Sequence, residues 1–355
     1  MVAALAISAC TATSFAVARP LTASAHPADL SCAARDSDAT IEFQISVEAD
    51  AAELTRWCRA VGAPVYVGAP TVAPAPPALE DITFISWNAH LAEGELDELI
   101  AKLKAGDLTG GKPVAHFVLL VQELYRRGDA VPAFDVHDRS AFAIRPRDPD
   151  VADIDDHAAE LGLSIFYAPS MRNGPELRED RGNALISTEP LIDPLALELP
   201  LARQRRVTLG AAINVQTADG IRRLELVDAH LEPLSSPKTL WVFKNPREAQ
   251  ARAILKLLEE PRYTDRSHTL GVVVGGDFNT VRSGADESAI HLVRRWSTGL
   301  SHEDLRDTHL MGRLDYLFFN VPNGWSASTR RLDQRFGSDH YPVVGRLQTI
   351  ADTRR

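Results

Sequence analysis

The residues best equipped for chemistry stand at the ends of apolar runs. Ile82-Thr83-Phe84-Ile85-Ser86-Trp87 runs into Asn88, and Phe117-Val118-Leu119-Leu120-Val121 runs into Gln122-Glu123. Leu224 to Val227 leads to Asp228-Ala229-His230, and Val272-Val273-Val274 leads to Gly275-Gly276-Asp277-Phe278-Asn279. Asp315 lies within the run Leu314 to Phe319, and Ser338-Asp339-His340 precedes the run Val343 to Leu347. One Asp or Asn beside a strand is ordinary turn chemistry. Several together, jointly holding Glu, Asp, Asn and His, ask for a common site. Carboxylate and amide oxygens bind a hard cation such as Mg²⁺, and imidazoles supply acid–base or charge-stabilising groups.

Such groups need short strands to carry them. Leu163 to Tyr167 and Ala184 to Ile186 are two further apolar runs, and Val207 to Val215 alternates in the manner of a half-buried strand. Leu96, Leu99, Ile100 and Leu103 recur at the spacing of an amphipathic helix, and Ala253, Ile254, Leu257 and Leu258 mark a second helix opened by Pro246. Strands interleaved with helices predict an α/β architecture. In open α/β folds, binding sites lie outside the carboxyl ends of the strands.

Composition narrows the class. The 355-residue chain is 45% hydrophobic and 24% charged with three cysteines, which excludes a disordered, collagen-like or disulfide-scaffold protein. Its length allows one large domain or two ordinary ones. Nothing after the N-terminus approaches the ~20 apolar residues of a membrane helix. Lys and Arg total 38 against 48 Asp and Glu, a net charge of -10. That balance argues against a sequence-blind nucleic-acid coat, whose affinity rests on many cation–phosphate contacts. An enzyme that touches nucleic acid briefly is still allowed.

Val2 to Ala18 carries no charged residue and is followed by Ala23-Ser24-Ala25, so residues 1–25 read as an export signal. No Lys or Arg precedes the apolar run. Ile7-Ser8-Ala9-Cys10 also resembles a bacterial lipoprotein box with Cys10 as the lipidated residue. The alternative is a buried helix, against which Thr11, Thr13 and Ser14 count. Residues 26–68 read as a small subdomain, with Ile41, Phe43, Ile45 and Val47 alternating as a strand and Glu53 to Arg59 as a helical turn. In an oxidising compartment Cys32 and Cys58 make an even pair; a disulfide there would contribute ~3 kcal/mol. Two packed free thiols are the alternative. The prolines of residues 69–79 mark a semi-rigid linker, and residues 80–350 form the second domain.

The ordered set Trp87-Asn88, Gln122-Glu123, His230, Gly276-Asp277-Phe278-Asn279, Leu314-Asp315-Tyr316 and Ser338-Asp339-His340 resembles the endonuclease/exonuclease/phosphatase superfamily, the DNase I-like proteins. Arg181-Gly182-Asn183-Ala184-Leu185-Ile186-Ser187 is similar to a strand segment of the same proteins. The resemblance covers roughly residues 80 to 348, the span between the boundary signals. It implies a four-layer α/β sandwich of two packed mixed β-sheets flanked by helices, and metal-assisted hydrolysis of a phosphate ester. Glu123 is then the prime metal ligand, with Asn88 and Asp339 as oxygen partners; Mg²⁺ is the expected ion, with Mn²⁺ or Ca²⁺ as alternatives. Asp277 and Asn279 position and deprotonate the attacking water. His340 bonds the phosphoryl oxygen or accepts the water proton, with Asp315 fixing its tautomer. His230 donates to charge developing at phosphorus. Asn183 contacts phosphate or caps a strand, and Arg206 is a candidate phosphate contact.

Other hydrolase plans are absent. Ser338-Asp339-His340 is no nucleophilic triad, because adjacent side chains cannot converge as that chemistry needs. There is no G-x-S-x-G, H-E-x-x-H, C-x-x-C or Walker A pattern. The substrate is left open. A monomeric secreted nuclease is the first expectation, with paired arginines (Arg126-Arg127, Arg203 with Arg205-Arg206, Arg294-Arg295, Arg330-Arg331) as candidates to grip a backbone, solvated surface charge being the alternative for all but Arg206. A sphingomyelinase-like enzyme acting on phospholipid is the second, with Thr239 to Phe243 as an interfacial aromatic segment. A non-catalytic binding or toxin-like module on the same fold is the third.

Overall fold

Alternation along each strand decides which layer a side chain joins. In β3 (Ile82–Asn88), Ile82 and Phe84 pack between two sheets, while Ile85 and Trp87 face an outer layer. β4 (His116–Arg127) does the same with Val118 and Leu120 against Phe117, Leu119 and Val121. Both faces are buried, so these strands read as continuous apolar runs. The computed structural model describes residues 16–17, 19–20, 40–68, 75–133, 142–143, 153–174, 178–233, 245–281 and 287–350. Among them no helix is long and apolar enough to cross a membrane.

The remaining elements are β1 (Thr40–Ile45), α1 (Ala51–Arg59), β2 (Val65–Val67), α2 (Leu96–Ala105), α3 (Ile154–Leu161), β5 (Ser164–Asn173), β6 (Glu179–Ser187), β7 (Ile192–Glu198), β8 (Val207–Thr217), β9 (Gly220–His230), α4 (Pro246–Leu257), β10 (Thr269–Asp277), α5 (Ser288–Trp296), β11 (Leu300–His302), β12 (Asp315–Asn320), β13 (Trp325–Arg331) and β14 (Val343–Thr349). One sheet runs β2-β5-β6-β4-β3-β14-β13-β11 and the other β12-β10-β9-β8-β7-β1, with two-residue pieces at their margins. Both sheets are mixed. Each holds a parallel pair at its heart, β3 beside β4 and β9 beside β10. Parallel neighbours need a crossover, and α2 and α4 lie in those two connections. α4 opens as expected: Pro246 occupies its first turn and Asn245 accepts the Arg247 N–H at 3.1 Å.

Four layers result. α2 and α3 cover the outer face of the first sheet through Leu96, Leu99, Leu103 and Ile154. α4 and α5 cover the second through Ile254, Leu257, Ile290 and Val293. Between the sheets lies a core that includes Phe84, Leu120, Phe166, Leu209, Leu226, Val273 and Phe319. Burying each such side chain contributes about 1.5–3 kcal/mol.

Of residues 26–68, expected as a separate subdomain, the described residues 40–68 are built into both sheets. β1 pairs in parallel with β7, and β2 pairs antiparallel with β5. The apolar face of β1 puts Ile41 into the inter-sheet core, which a free-standing hairpin could not offer. Cys58 is buried and disulfide-bonded; Cys32 and Cys10 lie outside the described residues, as do nearly all of residues 1–25 and most of the proline segment, residues 69–74.

Candidate active site

The two parallel pairs bring their carboxyl ends to one edge of the sandwich. Asn88 ends β3 opposite Gln122 of β4, and His230 ends β9 opposite Asp277 of β10. Asp277 in turn faces Asp315, the first residue of antiparallel β12. Gly276 lets β10 close on β9: a Cβ there would lie 1.8 Å from the Ala229 carbonyl oxygen. β4 does not end at Glu123. A bulge between Val121 and Leu124 carries the strand on to Arg127, and Glu123 takes φ 59°, which turns its side chain out of the ladder toward the site. Just after β3, His90, Leu91 and Ala92 hold three successive positive φ values of 48°, 58° and 52°. Strain of this kind, about 1–3 kcal/mol per residue, gathers where function fixes the backbone.

Asp277 lies at the centre. Its Oδ2 accepts from Asn88 Nδ2 at 2.9 Å and its Oδ1 from the Asn279 backbone N–H at 2.8 Å. His230 Nε2 is 3.6 Å from Oδ2. Burial and the neighbouring Asp315 push the Asp277 carboxyl up to about 6, against the pull of His340. His230 is held well below the usual imidazole range by burial and by the charges of Arg206, Arg181 and His340, so it is neutral. Asn279 sits at φ 53° and donates its amide to the Leu231 carbonyl at 2.9 Å.

His340 is the charged imidazole. Burial opposes its protonation, but Asp315, 2.8 Å from Nδ1, and then Asp277 and Asp339 push it up to about 10. The segment carrying it is tied to β3: the Ser338 hydroxyl donates to the Asn88 carbonyl at 2.7 Å, and Trp87 Nε1 to the His340 carbonyl at 3.2 Å. Asp339 lies between two imidazoles, His90 Nδ1 at 3.0 Å and His309 Nε2 at 3.2 Å. Burial works against its charge, yet those two partners and His340 hold it well below the usual carboxylate range.

On the far side of His230, Glu123 Oε2 accepts from Arg181 at 3.2 Å, and Glu123 Oε1 lies 3.9 Å from His230. Burial would raise Glu123, but Arg181 and Arg206 keep it lowered. Arg206 is buried, makes no ion pair among the described residues and leaves Nε without a partner. Burial and nearby Arg181 pull it down to about 10, against Glu232, Glu123 and Asp277.

Against known proteins, the sequence pattern of the Endonuclease/Exonuclease/phosphatase family matches residues 85–340, well over half the chain. The chain belongs to this family. Members hydrolyse phosphate esters, including those of nucleic acids and lipids, and typically depend on a divalent metal ion. Similar solved structures include an endonuclease/exonuclease/phosphatase from Bacteroides vulgatus at 11% identity, covering 76% of this chain and 98% of that one with a TM-score of 0.46. The human Nocturnin catalytic domain with bound sulfate shares 14% identity over 79% and 97%, with a TM-score of 0.46. Sphingomyelinase C from Streptomyces griseocarneus shares 15% over 74% and 98%, at 0.41. No curated protein matches.

The donor set of this family member suits a hard cation. Glu123, Asp339 and Asn88 offer oxygens, Asn88 Oδ1 also accepting the His90 N–H at 2.9 Å, and among the described residues Glu123 has the 3.2 Å Arg181 contact as its close partner. Asn183 neither ends a strand nor points outward: its amide donates to the Val207 carbonyl at 3.0 Å, joining the two sheets, and its buried Oδ1 is unpartnered. Of the paired arginines, most are occupied. Arg126 binds Asp180, Arg127 Glu179, Arg205 Glu198 and Arg294 Glu303; Arg206 is a buried member of these pairs with no ion pair among the described residues. Thr239 to Phe243 lie outside the described residues. His90, Arg181 and His309 were not singled out by sequence as site groups. Arg181 lies inside β6 and His309 on the turn before β12, where no apolar run announces them; His90 follows the end of β3 by two residues.

Proposed function

We propose that this chain is an exported, divalent-metal-dependent phosphodiesterase with nucleic acid as its substrate. The observation that carries the reading is the buried Arg206 guanidinium, with no ion pair among the described residues and an idle Nε, lying near neutral His230 and fixed Asp277: an anion receptor beside a positioned carboxylate. A cation held by Glu123, Asn88 and Asp339 would neutralise charge on the phosphoryl group and the leaving oxygen. Asp277, aimed by Asn88 and Asn279, orients the water and takes its proton as the new P–O bond forms and the opposite P–O bond breaks, the leaving oxygen departing as an alkoxide that solvent protonates. His340, locked by Asp315, bonds a phosphoryl oxygen, and His230 donates to the charge that develops there. Arg206 receives a phosphate oxygen.

Nucleic acid is favoured by Tyr341, next to His340. Arg331 and Arg335 lie over its ring at 4.1 and 4.5 Å, and Arg335 makes no ion pair among the described residues. An aromatic ring with guanidinium groups suits a base and its backbone. A lipid phosphodiester is the second reading, favoured by Leu310 (84% exposed) and Met311 (51% exposed) beside His309. The apolar stretch from Val2 to Ala18 supports export.

The test is supercoiled plasmid and sphingomyelin vesicles, each with Mg²⁺ or EDTA, beside His340→Ala. Metal-dependent nicking that the variant loses is expected. Cleavage of sphingomyelin alone would move the substrate to lipid, and cleavage of neither would remove the catalytic reading. Expression in a bacterial host should yield a secreted chain lacking its first 25 or so residues; an intact cytoplasmic chain would overturn export.

A further inference from the structure

His309 sits on the turn before β12, and its hydrogen bonds fix its proton. Nδ1 accepts the Met311 backbone N–H at 3.0 Å. A neutral imidazole whose Nδ1 accepts must carry its hydrogen on Nε2, and Nε2 donates to Asp339 Oδ2 at 3.2 Å. His309, Asp339 and His340 bring their polar atoms within 4.8 Å of one another, close enough to suggest a metal site in themselves. The tautomer argues otherwise, since a metal-bound imidazole must offer a bare nitrogen. His309 therefore stands behind the carboxylate and not beside it as a ligand.

The turn is built to hold that ring in place. His309 N–H donates to the Gly312 carbonyl at 3.0 Å, and Gly312 N–H returns to the His309 carbonyl at 3.1 Å. Thr308 Oγ1 accepts from Leu314 N–H at 3.0 Å and Asp315 N–H at 3.1 Å, and the Thr308 carbonyl accepts from Tyr341 N–H at 2.8 Å. The turn is thus anchored to the residue that locks His340 and to the residue after it. The His309 and His340 ring centres lie 4.7 Å apart. From the other side, His90 Nδ1 lies 3.0 Å from Asp339 Oδ1.

We propose that His309 is a positioning residue that aims Asp339 at the metal ion. An ionised carboxylate has about four lone-pair sites, so His309 on Oδ2, with His90 and the more distant His340 Nε2 at 3.7 Å on Oδ1, leaves room for a cation. A ligand held in this way needs no ordering when the ion binds. Loss of such an outer partner typically costs 10–100-fold in metal affinity. The inference rests on the reading of Asp339 as a metal ligand.

The experiment titrates Mn²⁺ into the full chain by calorimetry, using wild type, His309→Ala, His309→Gln and Asp339→Asn. Affinity should fall about 10–100-fold in His309→Ala, recover for the most part in His309→Gln, whose amide can donate from the same place, and fall at least as far in Asp339→Asn. Wild-type affinity in His309→Ala beside a loss in Asp339→Asn would overturn the positioning role alone. So would a Gln variant as weak as the Ala one. Unchanged affinity in Asp339→Asn would remove the ligand reading, and this proposal with it.

Discussion

Two neighbouring arginines on one turn meet opposite fates. Arg205 is buried against Glu198 and also donates to the carbonyls of Pro169 and Ser170 at 2.7 and 3.2 Å. Arg206, equally buried, has no ion pair among the described residues and an idle Nε. Arg126 repeats the first pattern: Asp180 accepts from it, from the Tyr167 hydroxyl at 2.8 Å and from the Gly62 N–H at 2.8 Å. A closed network of buried charge is structural, because every polar group removed from water has a partner. An open one is strain that a substrate can relieve, and Arg206 Nε and Asp315 Oδ1 are open in this way around Asp277.

The comparison can be broken most directly at Asp277. Asp277→Ala should lower turnover about 10²–10⁴-fold while leaving the urea midpoint equal or higher, since this carboxyl is destabilised by burial and by Asp315. A variant that unfolds would make Asp277 structural. Asp180→Ala should do the reverse. It removes the carboxylate that buried Arg126 pairs with, which costs about 3–5 kcal/mol, yet turnover per folded molecule should hold; urea unfolding and kcat together decide. Arg206→Met should cut kcat/KM by about 10²-fold with a smaller stability change than Asp180→Ala. Equal stability losses at the two positions would erase the distinction.

The smallest effect is a pH slope. Asp228 is fully buried between the sheets, bonded at Oδ1 by Gln122 at 2.6 Å, and burial holds its carboxyl well above the usual range. The folded protein keeps a proton that the unfolded chain loses near pH 3.9, so stability falls as pH rises from there toward the folded value. Asp228→Asn removes that slope. Its advantage over wild type in urea should widen between pH 4 and 7, and a constant gap would show that Asp228 is ionised in the fold.

Strand ends were legible because a buried strand announces itself as an apolar run, and a polar residue after it stands out. Asn88, Glu123, His230, Asp277 and Asp315 all lie on the one edge the pattern predicts. Less legible was anything set by partners distant in sequence. Nothing in the arginine pairs reveals that Asp180 closes on Arg126 and leaves no such partner for Arg206. β1 and β2 look like a small unit because their pairing strands come more than 90 residues later. Glu123 read as a strand end, yet a single left-handed residue lets β4 bulge and continue. His309 had no signal, since its role depends on a turn folding back over Asp339.

The most direct measurement is hydrolysis of bis-p-nitrophenyl phosphate, which tests the chemistry apart from any natural substrate, by wild type and Asp277→Asn side by side with Mg²⁺, Mn²⁺ or EDTA. The account predicts p-nitrophenol release that needs the metal and that the folded variant has lost. Release that persists in Asp277→Asn, or none by wild type with any of these ions, would contradict it.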